Sequence, residues 1–402
     1  MPEQVLKARP CAVCGEVRPE LLFRQEFAGL SAGSLLKGYD VVLCRRCGLA
    51  RADNLPQDGE FDCYYAEMSR YEYQEVGGRE SIYERRHFED EADLVEKVAP
   101  DRNASVFDIG CSTGGMLAVL KERGYRRLLG LDPSPACAAG ARKLYGVEVV
   151  TKTISEIDSI QERFDVILMN GVLEHLVSSG AMLGKIRDRL TDRGLFYVGV
   201  PDVTAFVEHI DAPFQQFSPE HILYFSPVSL ANLLGVSGFA TVLETRKACA
   251  QSANAVMPVV ESVFRRAEAP RDWTADASTG PAIRAYIRAC SDMEKGLASR
   301  MAELAESRRP VIVWGVGSHA QRLMSTTRLA EANIVAFVDS NPHYHGKSLR
   351  GVTVLSPEQL RGRTEPILIA SAVYQDDIVE QIRGKLGMTN ELICLSRRAH
   401  VD

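Results

Sequence analysis

Two glycine turns constrain the fold of this chain more than any other feature. Each follows an apolar, strand-like segment, and each is followed 22 residues later by a second such segment that ends in aspartate, Gly110 to Asp132 and Gly317 to Asp339. Strand-like and helical segments alternate after both turns. Strands that alternate with helices are typical of a parallel sheet with helices on its faces. The sequence therefore predicts an α/β protein with a doubly wound sheet and a second, smaller Rossmann-like domain.

The same pattern divides the chain into four segments. Residues 1–65 are rich in turns, 66–250 contain the first alternation, 251–308 form a linker with a long helical run, and 309–402 contain the second alternation. A length of 402 residues leaves room for two domains and a small module, since domains average about 100–200 residues.

Composition excludes several classes of partner. The net charge is −6, with no basic stripe, and this argues against a nucleic-acid partner. No apolar run reaches the roughly 20 residues that span a bilayer, so no membrane partner is expected. The N-terminus does not resemble a signal peptide, and a cytoplasmic location is expected.

Four of the ten cysteines form two CxxC pairs, Cys11 with Cys14 and Cys44 with Cys47, each followed by glycine. Two such turns hold four thiolates in the tetrahedral arrangement that zinc prefers. Four thiolates leave no open position for a substrate, so the zinc is expected to be structural. Redox chemistry at a CxxC pair is the alternative, although such a motif is typical of a strand–helix turn.

The first glycine turn reads DxGxxxGG, with Asp108 on the strand and Gly110 and Gly114 in the turn. It resembles motif I of class I S-adenosylmethionine (SAM) dependent methyltransferases. The resemblance implies that the turn packs against the amino-acid part of SAM and that Asp132 accepts both ribose hydroxyls. Asn170, at the end of the family's fourth strand, is expected among the cofactor contacts. A Rossmann-like domain with a different nucleotide site is the alternative, and the adenine contact is left unassigned.

Over nearly its whole length the chain resembles sugar C-methyltransferases of the antibiotic deoxysugar type. These enzymes combine a four-cysteine zinc module, a SAM domain and a C-terminal Rossmann-like domain, and they methylate a nucleotide-linked keto-deoxysugar. The resemblance implies a small-molecule substrate, a nucleotide sugar. It also places Tyr73 in an aromatic segment over the SAM site. A monomer or a homodimer is expected.

Candidate catalytic residues are Glu220 and His221, in a segment where the family's Glu-His pair reaches the sugar, and His175 in a Glu-His-Leu turn. Histidine is the natural base near neutral pH. Ser218 stands where the family has a tyrosine that helps to deprotonate or polarise the sugar. A carbon acceptor is therefore only slightly favoured, and O- or N-methylation of a sugar or another small metabolite is the alternative.

The second turn, from Gly315 to Ala320, fits the GxGxxA dinucleotide fingerprint, with Asp339 ending the next strand. An NAD-dependent oxidoreductase is therefore a less favoured alternative, as is a non-enzymatic interaction module. The resemblance instead implies that this domain frames the substrate cleft.

Overall fold

The computed structural model describes residues 9–31, 35–56, 58–67 and 79–395. The chain forms two compact units, each assembled from three separate segments. The first consists of Met1–Leu22, Val41–Phe206 and His221–Ile283, and the second of Phe23–Asp40, Val207–Glu220 and Arg284–Asp402. These segments differ from the four contiguous segments expected from the sequence pattern.

The elements follow one another along the chain. The strands are β1 (Glu20–Glu26), β2 (Gly38–Leu43), β3 (Ala50–Asp53), β4 (Ser105–Ile109), β5 (Arg127–Asp132), β6 (Val149–Thr151), β7 (Phe164–Asn170), β8 (Leu190–Pro201), β9 (Leu223–Tyr224), β10 (Phe239–Ala250), β11 (Val256–Arg266), β12 (Val311–Trp314), β13 (Ile334–Val338), β14 (Ser348–Leu349), β15 (Val352–Leu355), β16 (Ile367–Ile369) and β17 (Leu392–Cys394). The helices are α1 (Asp58–Glu67), α2 (Ile82–Val98), α3 (Gly115–Glu122), α4 (Pro135–Tyr145), α5 (Ser179–Asp188), α6 (Pro227–Val236), α7 (Thr279–Ser307), α8 (Ser318–Thr326) and α9 (Gln375–Glu380).

The first unit is built on a seven-stranded sheet in the order β10-β11-β8-β7-β4-β5-β6. The strands from β8 to β6 run parallel, whereas β11 is antiparallel to both β8 and β10. The carboxyl ends of the parallel strands share one edge, which is where open α/β sheets bind ligands. The first glycine turn, Asp132 and Asn170 all follow or end strands at this edge.

The strand β11 lies in the segment that the sequence pattern predicted to be a linker. Residues Val259 to Arg265 pair with β8, and most of the strand is buried. The buried Glu261 interrupts its apolar run in the sequence. This carboxylate is why the apolar pattern alone missed the strand.

The second unit contains a six-stranded sheet in the order β14-β15-β13-β12-β16-β17. Alternate residues of β12 enter two different apolar cores: Val311 and Val313 enter one, while Ile312 and Trp314 enter the other. Because successive side chains of a strand point to opposite faces, the sheet is covered on both faces. The predicted α/β class with two Rossmann-like sheets is thus confirmed.

A small four-stranded sheet, β1-β2-β3-β9, contains the residues that follow the first cysteine pair. In it β3 pairs with β9 through Ala50 and Tyr224, and the backbone N–H of Ala52 donates to the carbonyl of Ile222 at 2.7 Å. The segment directly after the cysteine pairs is therefore hydrogen-bonded to the segment directly after His221. None of the described helices combines the length and apolar character needed to cross a bilayer.

Candidate functional site

The four paired cysteines converge, as the sequence predicted. The Sγ atoms of Cys11 and Cys47 lie 3.5 Å apart, those of Cys14 and Cys44 lie 3.4 Å apart, and none of the four forms a disulfide. Zinc–sulfur bonds of about 2.3 Å place tetrahedral thiolates about 3.8 Å apart. The donor set and its spacing therefore fit one zinc ion, with no room for a substrate ligand.

Asp132 is hydrogen-bonded to the first glycine turn and to the loop that follows its own strand. Its Oδ2 accepts the backbone N–H of Ser112 and its Oδ1 accepts that of Ser134, both at 2.9 Å. A carboxylate offers about four acceptor positions, so each oxygen of Asp132 can accept more than its one backbone N–H group. Nearby, burial raises the pKa of Asp108 well above its usual range, and the neighbouring carboxylates of Glu91 and Asp132 add to this effect.

The glycine turn packs against the loop after β7. Gly110 has a φ of +76°, which only glycine adopts at low cost, and a Cβ at this position would collide with Cγ2 of Val172. Val172 lies two residues before Glu174 and accepts the backbone N–H of His175 at 3.0 Å. The first glycine turn and the Glu-His turn are therefore in direct contact.

Glu174, His175 and His221 form one cluster, in which one ligand atom from each residue lies within 4.8 Å of the other two. The two imidazole rings meet edge to face, with centroids 5.2 Å apart. The backbone N–H of Ile222 donates to the carbonyl of Glu174 at 2.8 Å, which fixes the segment after His221 against the Glu-His turn. The structure thus unites two of the three predicted catalytic residues.

Glu174 is the member of this cluster that sequence reasoning did not select. Its side chain is buried, and burial raises its pKa to about 8. Its Oε1 lies 3.8 Å from Nε2 of His175, whose Nδ1 lies 3.1 Å from the hydroxyl of Tyr65 on α1. Glu174 was visible in the sequence as the neighbour of His175, but nothing local distinguished it from a surface carboxylate.

Two predicted residues fall outside this cluster. Glu220 belongs to the second unit, where its backbone N–H donates to Oγ of Ser218 at 3.3 Å. Tyr73 lies outside the described residues. Their predicted roles remain predictions.

Asn170 takes part in a buried polar network that the sequence did not reveal. Its Nδ2 lies 2.9 Å from Nε2 of His87 and also donates to Glu91 on the same helix, α2. Burial by itself would lower the pKa of His87, but the carboxylate of Glu91, 2.8 Å away, raises it to about 10. The network thus ties α2 to the end of β7, beside the expected cofactor position.

The second glycine turn repeats the hydrogen bonding of the first. Asp339 accepts the backbone N–H groups of Val316 and Asn341, both at 2.9 Å. The N–H of Gly315 donates to Val338 at 2.7 Å, as Gly110 does to Leu131 at 2.8 Å. The same local geometry therefore occurs in both units.

Two family models match parts of the chain. Residues 83–244 match a model described as a methyltransferase domain. Residues 307–394 match a model described as C2185-like, N-terminal. The first match covers strands β4 to β8 of the seven-stranded sheet and the first half of β10, without β11. The second match covers the sheet of the second unit.

Similarity to curated proteins is confined to part of each. A ubiquinone biosynthesis O-methyltransferase of Bradyrhizobium diazoefficiens is 35% identical over 99 residues, 23% of this chain and 38% of that protein. A tRNA U34 carboxymethyltransferase of Shewanella baltica is 26% identical over 148 residues, 35% of this chain and 44% of that protein. The chain thus spans less than half the length of these relatives.

Among solved structures, the 1,6-didemethyltoxoflavin-N1-methyltransferase of Burkholderia thailandensis is 22% identical, covers 55% of this chain and 96% of its own, and has a TM-score of 0.41. The magnesium protoporphyrin IX methyltransferase of Synechocystis PCC 6803 is 12% identical, covers 52% of this chain and 99% of its own, and has a TM-score of 0.38.

Proposed function

Because the chain contains a class I SAM-dependent methyltransferase domain, we propose that it transfers the methyl group of SAM to a small oxygen-rich acceptor. The observation that carries this proposal is the contact between the turn that contains Gly110 and the loop that carries His175. With SAM at the glycine turn, as proposed, this contact supports a reaction in which the cofactor lies next to a cluster able to remove a proton.

Methyl transfer from a sulfonium is an in-line displacement, so SAM itself supplies the electrophile. The protein must align the acceptor and take up its proton. Asp132 and the glycine turn would hold SAM by its ribose and amino-acid parts. The Glu174–His175–His221 cluster would deprotonate the acceptor, and the sequence-based expectation gives the role of base to His221 or His175. Zinc at the four cysteines would have a structural role only.

The acceptor class we propose is a nucleotide-linked sugar or a related saccharide. Its support is the segment from Phe214 to Phe225, which resembles the sugar-binding segment of the sugar C-methyltransferases. In that family the acceptor is the carbon next to a ketone.

A hydroxyl acceptor is the second candidate. Ser218 replaces the tyrosine that the carbon-methylating enzymes use, and a hydroxyl needs only one proton removed. One of the relatives is named as an O-methyltransferase, which agrees with this candidate.

The test is to incubate the full chain with methyl-labelled SAM and a panel of nucleotide sugars. We expect one sugar to gain one labelled methyl group by mass spectrometry, and NMR of the product then identifies the acceptor atom. His221→Gln should retain SAM binding and lose turnover, whereas His343→Gln, in the second unit, should retain both. SAM binding without transfer to any sugar would contradict the acceptor class. No SAM binding at all would contradict the methyltransferase proposal.

A further inference from the structure

We propose that Glu174, His175 and His221 form a divalent-metal site that binds the acceptor hydroxyl and makes it acidic. This inference rests on the proposed methyl transfer, in its hydroxyl form. In it His175 and His221 bind the metal in place of acting as the base, and water takes the proton. It assigns to the cluster a ligand that neither the sequence nor the similar proteins suggested.

The spacing of the three side chains is the first support. One ligand atom from each residue lies within 4.8 Å of the others, and the Glu174 Oε1 to His175 Nε2 distance is 3.8 Å. Ligands of a metal with bonds of about 2.0–2.2 Å lie about 3.0–3.5 Å apart. Side-chain rotations that bring the atoms together by about 1 Å would complete the site.

The second support is independent of spacing. The Oε2 atom of Glu174 is buried and has no hydrogen-bond partner among the residues that the structure describes. Burying a carboxylate oxygen without a hydrogen-bond partner destabilises the fold. A cation bound between this oxygen and the two imidazoles would satisfy it.

The orientation of the imidazole of His175 is the third support. Its Nδ1 is held by the hydroxyl of Tyr65 at 3.1 Å, and its Nε2 faces Glu174. Metal-binding histidines are commonly oriented in this way, with a hydrogen bond at the nitrogen that does not bind the metal. The backbone hydrogen bond from Ile222 to Glu174 fixes the neighbouring segment.

A second acidic and histidine cluster in the same unit lacks these properties. His87, Glu91 and Glu261 also have ligand atoms within 4.8 Å of one another. However, Nζ of Lys247 lies 2.8 Å from Oε1 of Glu261, and Asn170 donates to Glu91. The ammonium group already supplies the positive charge there, so a metal ion is not expected.

The ligand set indicates the class of metal and its chemistry. One carboxylate and two imidazoles leave coordination positions open, as in mononuclear sites for zinc, manganese or iron(II). A hydroxyl bound at an open position loses its proton to water more readily, because the cation stabilises the alkoxide. The alkoxide oxygen then forms the new O–CH3 bond. The S–CH3 bond of SAM breaks, its electron pair stays on sulfur, and S-adenosylhomocysteine is released.

Manganese(II) is the probe of choice for the test, because it prefers oxygen and nitrogen ligands and competes poorly for the four thiolates. The full chain, loaded with one equivalent of zinc so that only the four thiolates are filled, is titrated with Mn2+. The free ion is followed by its electron paramagnetic resonance signal. SAM binding is measured by calorimetry on the same samples. The variants are Glu174→Gln, His221→Gln and the control His343→Gln.

We expect one Mn2+ bound per chain in the wild type and in His343→Gln, and at least tenfold weaker binding in Glu174→Gln and His221→Gln. The wild-type titration alone tests the inference if a variant fails to fold. Absence of saturable Mn2+ binding by the wild type, or wild-type affinity in a folded Glu174→Gln, overturns the metal site. If SAM still binds in those cases, only the metal inference fails. If the wild type does not bind SAM, the proposed methyl transfer itself is contradicted.

Discussion

Replacing Asp132 by asparagine separates the cofactor role of this residue from its structural role. The carboxylate accepts two backbone N–H groups, one at each oxygen and both at 2.9 Å. Asparagine keeps the shape but has only one acceptor oxygen, so its amide NH2 must face either the N–H of Ser112 or that of Ser134. The same NH2 also replaces one of the two oxygens expected to accept a ribose hydroxyl.

The size of the effect follows from these contacts. Each hydrogen bond to a charged group contributes about 1.5–3 kcal/mol. The loss of one bond to the ribose therefore weakens SAM binding by about 10- to 150-fold, since 1.4 kcal/mol corresponds to a factor of ten. The mismatched backbone contact lowers the free energy of unfolding by a similar amount.

Asp339→Asn is the matched control, because Asp339 accepts two backbone N–H groups with the same distances in the second unit. Calorimetric titration with SAM and urea unfolding are measured on the wild type and on both variants. We expect both variants to lose stability and only Asp132→Asn to lose SAM affinity. Wild-type affinity in Asp132→Asn would refute the assigned cofactor role. Equal losses of affinity in both variants would show that the effect is a general consequence of destabilisation.

Three further predictions concern stability. Cys14→Ser should lower both the amount of bound zinc, measured by plasma mass spectrometry, and the Tm. The control Cys63→Ser changes an exposed cysteine outside the cluster and should alter neither quantity. Equal zinc content in the two variants would contradict the zinc assignment. Gly110→Ala should lower the free energy of unfolding, measured in urea, by about 1–2 kcal/mol, because alanine is strained in the left-handed backbone conformation at this position. The collision of its Cβ with Val172 should lower it further. Adding Val172→Ala should relieve only the collision, and full recovery would contradict the backbone argument. The pKa of His87 is raised to about 10 in the folded protein, whereas it is about 6.5 in the unfolded chain. The contribution of its positive charge to stability is therefore fully present below pH 6.5 and is lost as the pH rises through about 10. Urea unfolding from pH 6.5 to 10.5 should show the wild type converging on His87→Gln, and a constant difference would contradict this assignment.

The sequence by itself determined the features that depend on near neighbours in the chain. A CxxC pair followed by glycine forms its turn locally, and two pairs together fix the ligand set. The pattern of a strand, a glycine turn and an acid at the end of the next strand likewise predicted the geometry around Asp132 and Asp339. Neighbouring parallel strands bring their carboxyl ends to the same edge of the sheet, so the turn and the acid lie side by side. The alternation of strands and helices determined the α/β class for the same reason.

Only the tertiary structure decided which distant side chains meet. Glu174 and His221 are brought together by a backbone hydrogen bond from Ile222 to Glu174, a contact that no local pattern predicts. Asn170, at the end of β7, contacts His87 of α2. Glu261 is buried, although the sequence pattern around it did not predict the strand to which it belongs. Charged groups become buried only when several elements surround them, and a buried charge must find a partner. The partners of these carboxylates are therefore set by long-range packing, beyond the reach of periodicity and spacing along the chain.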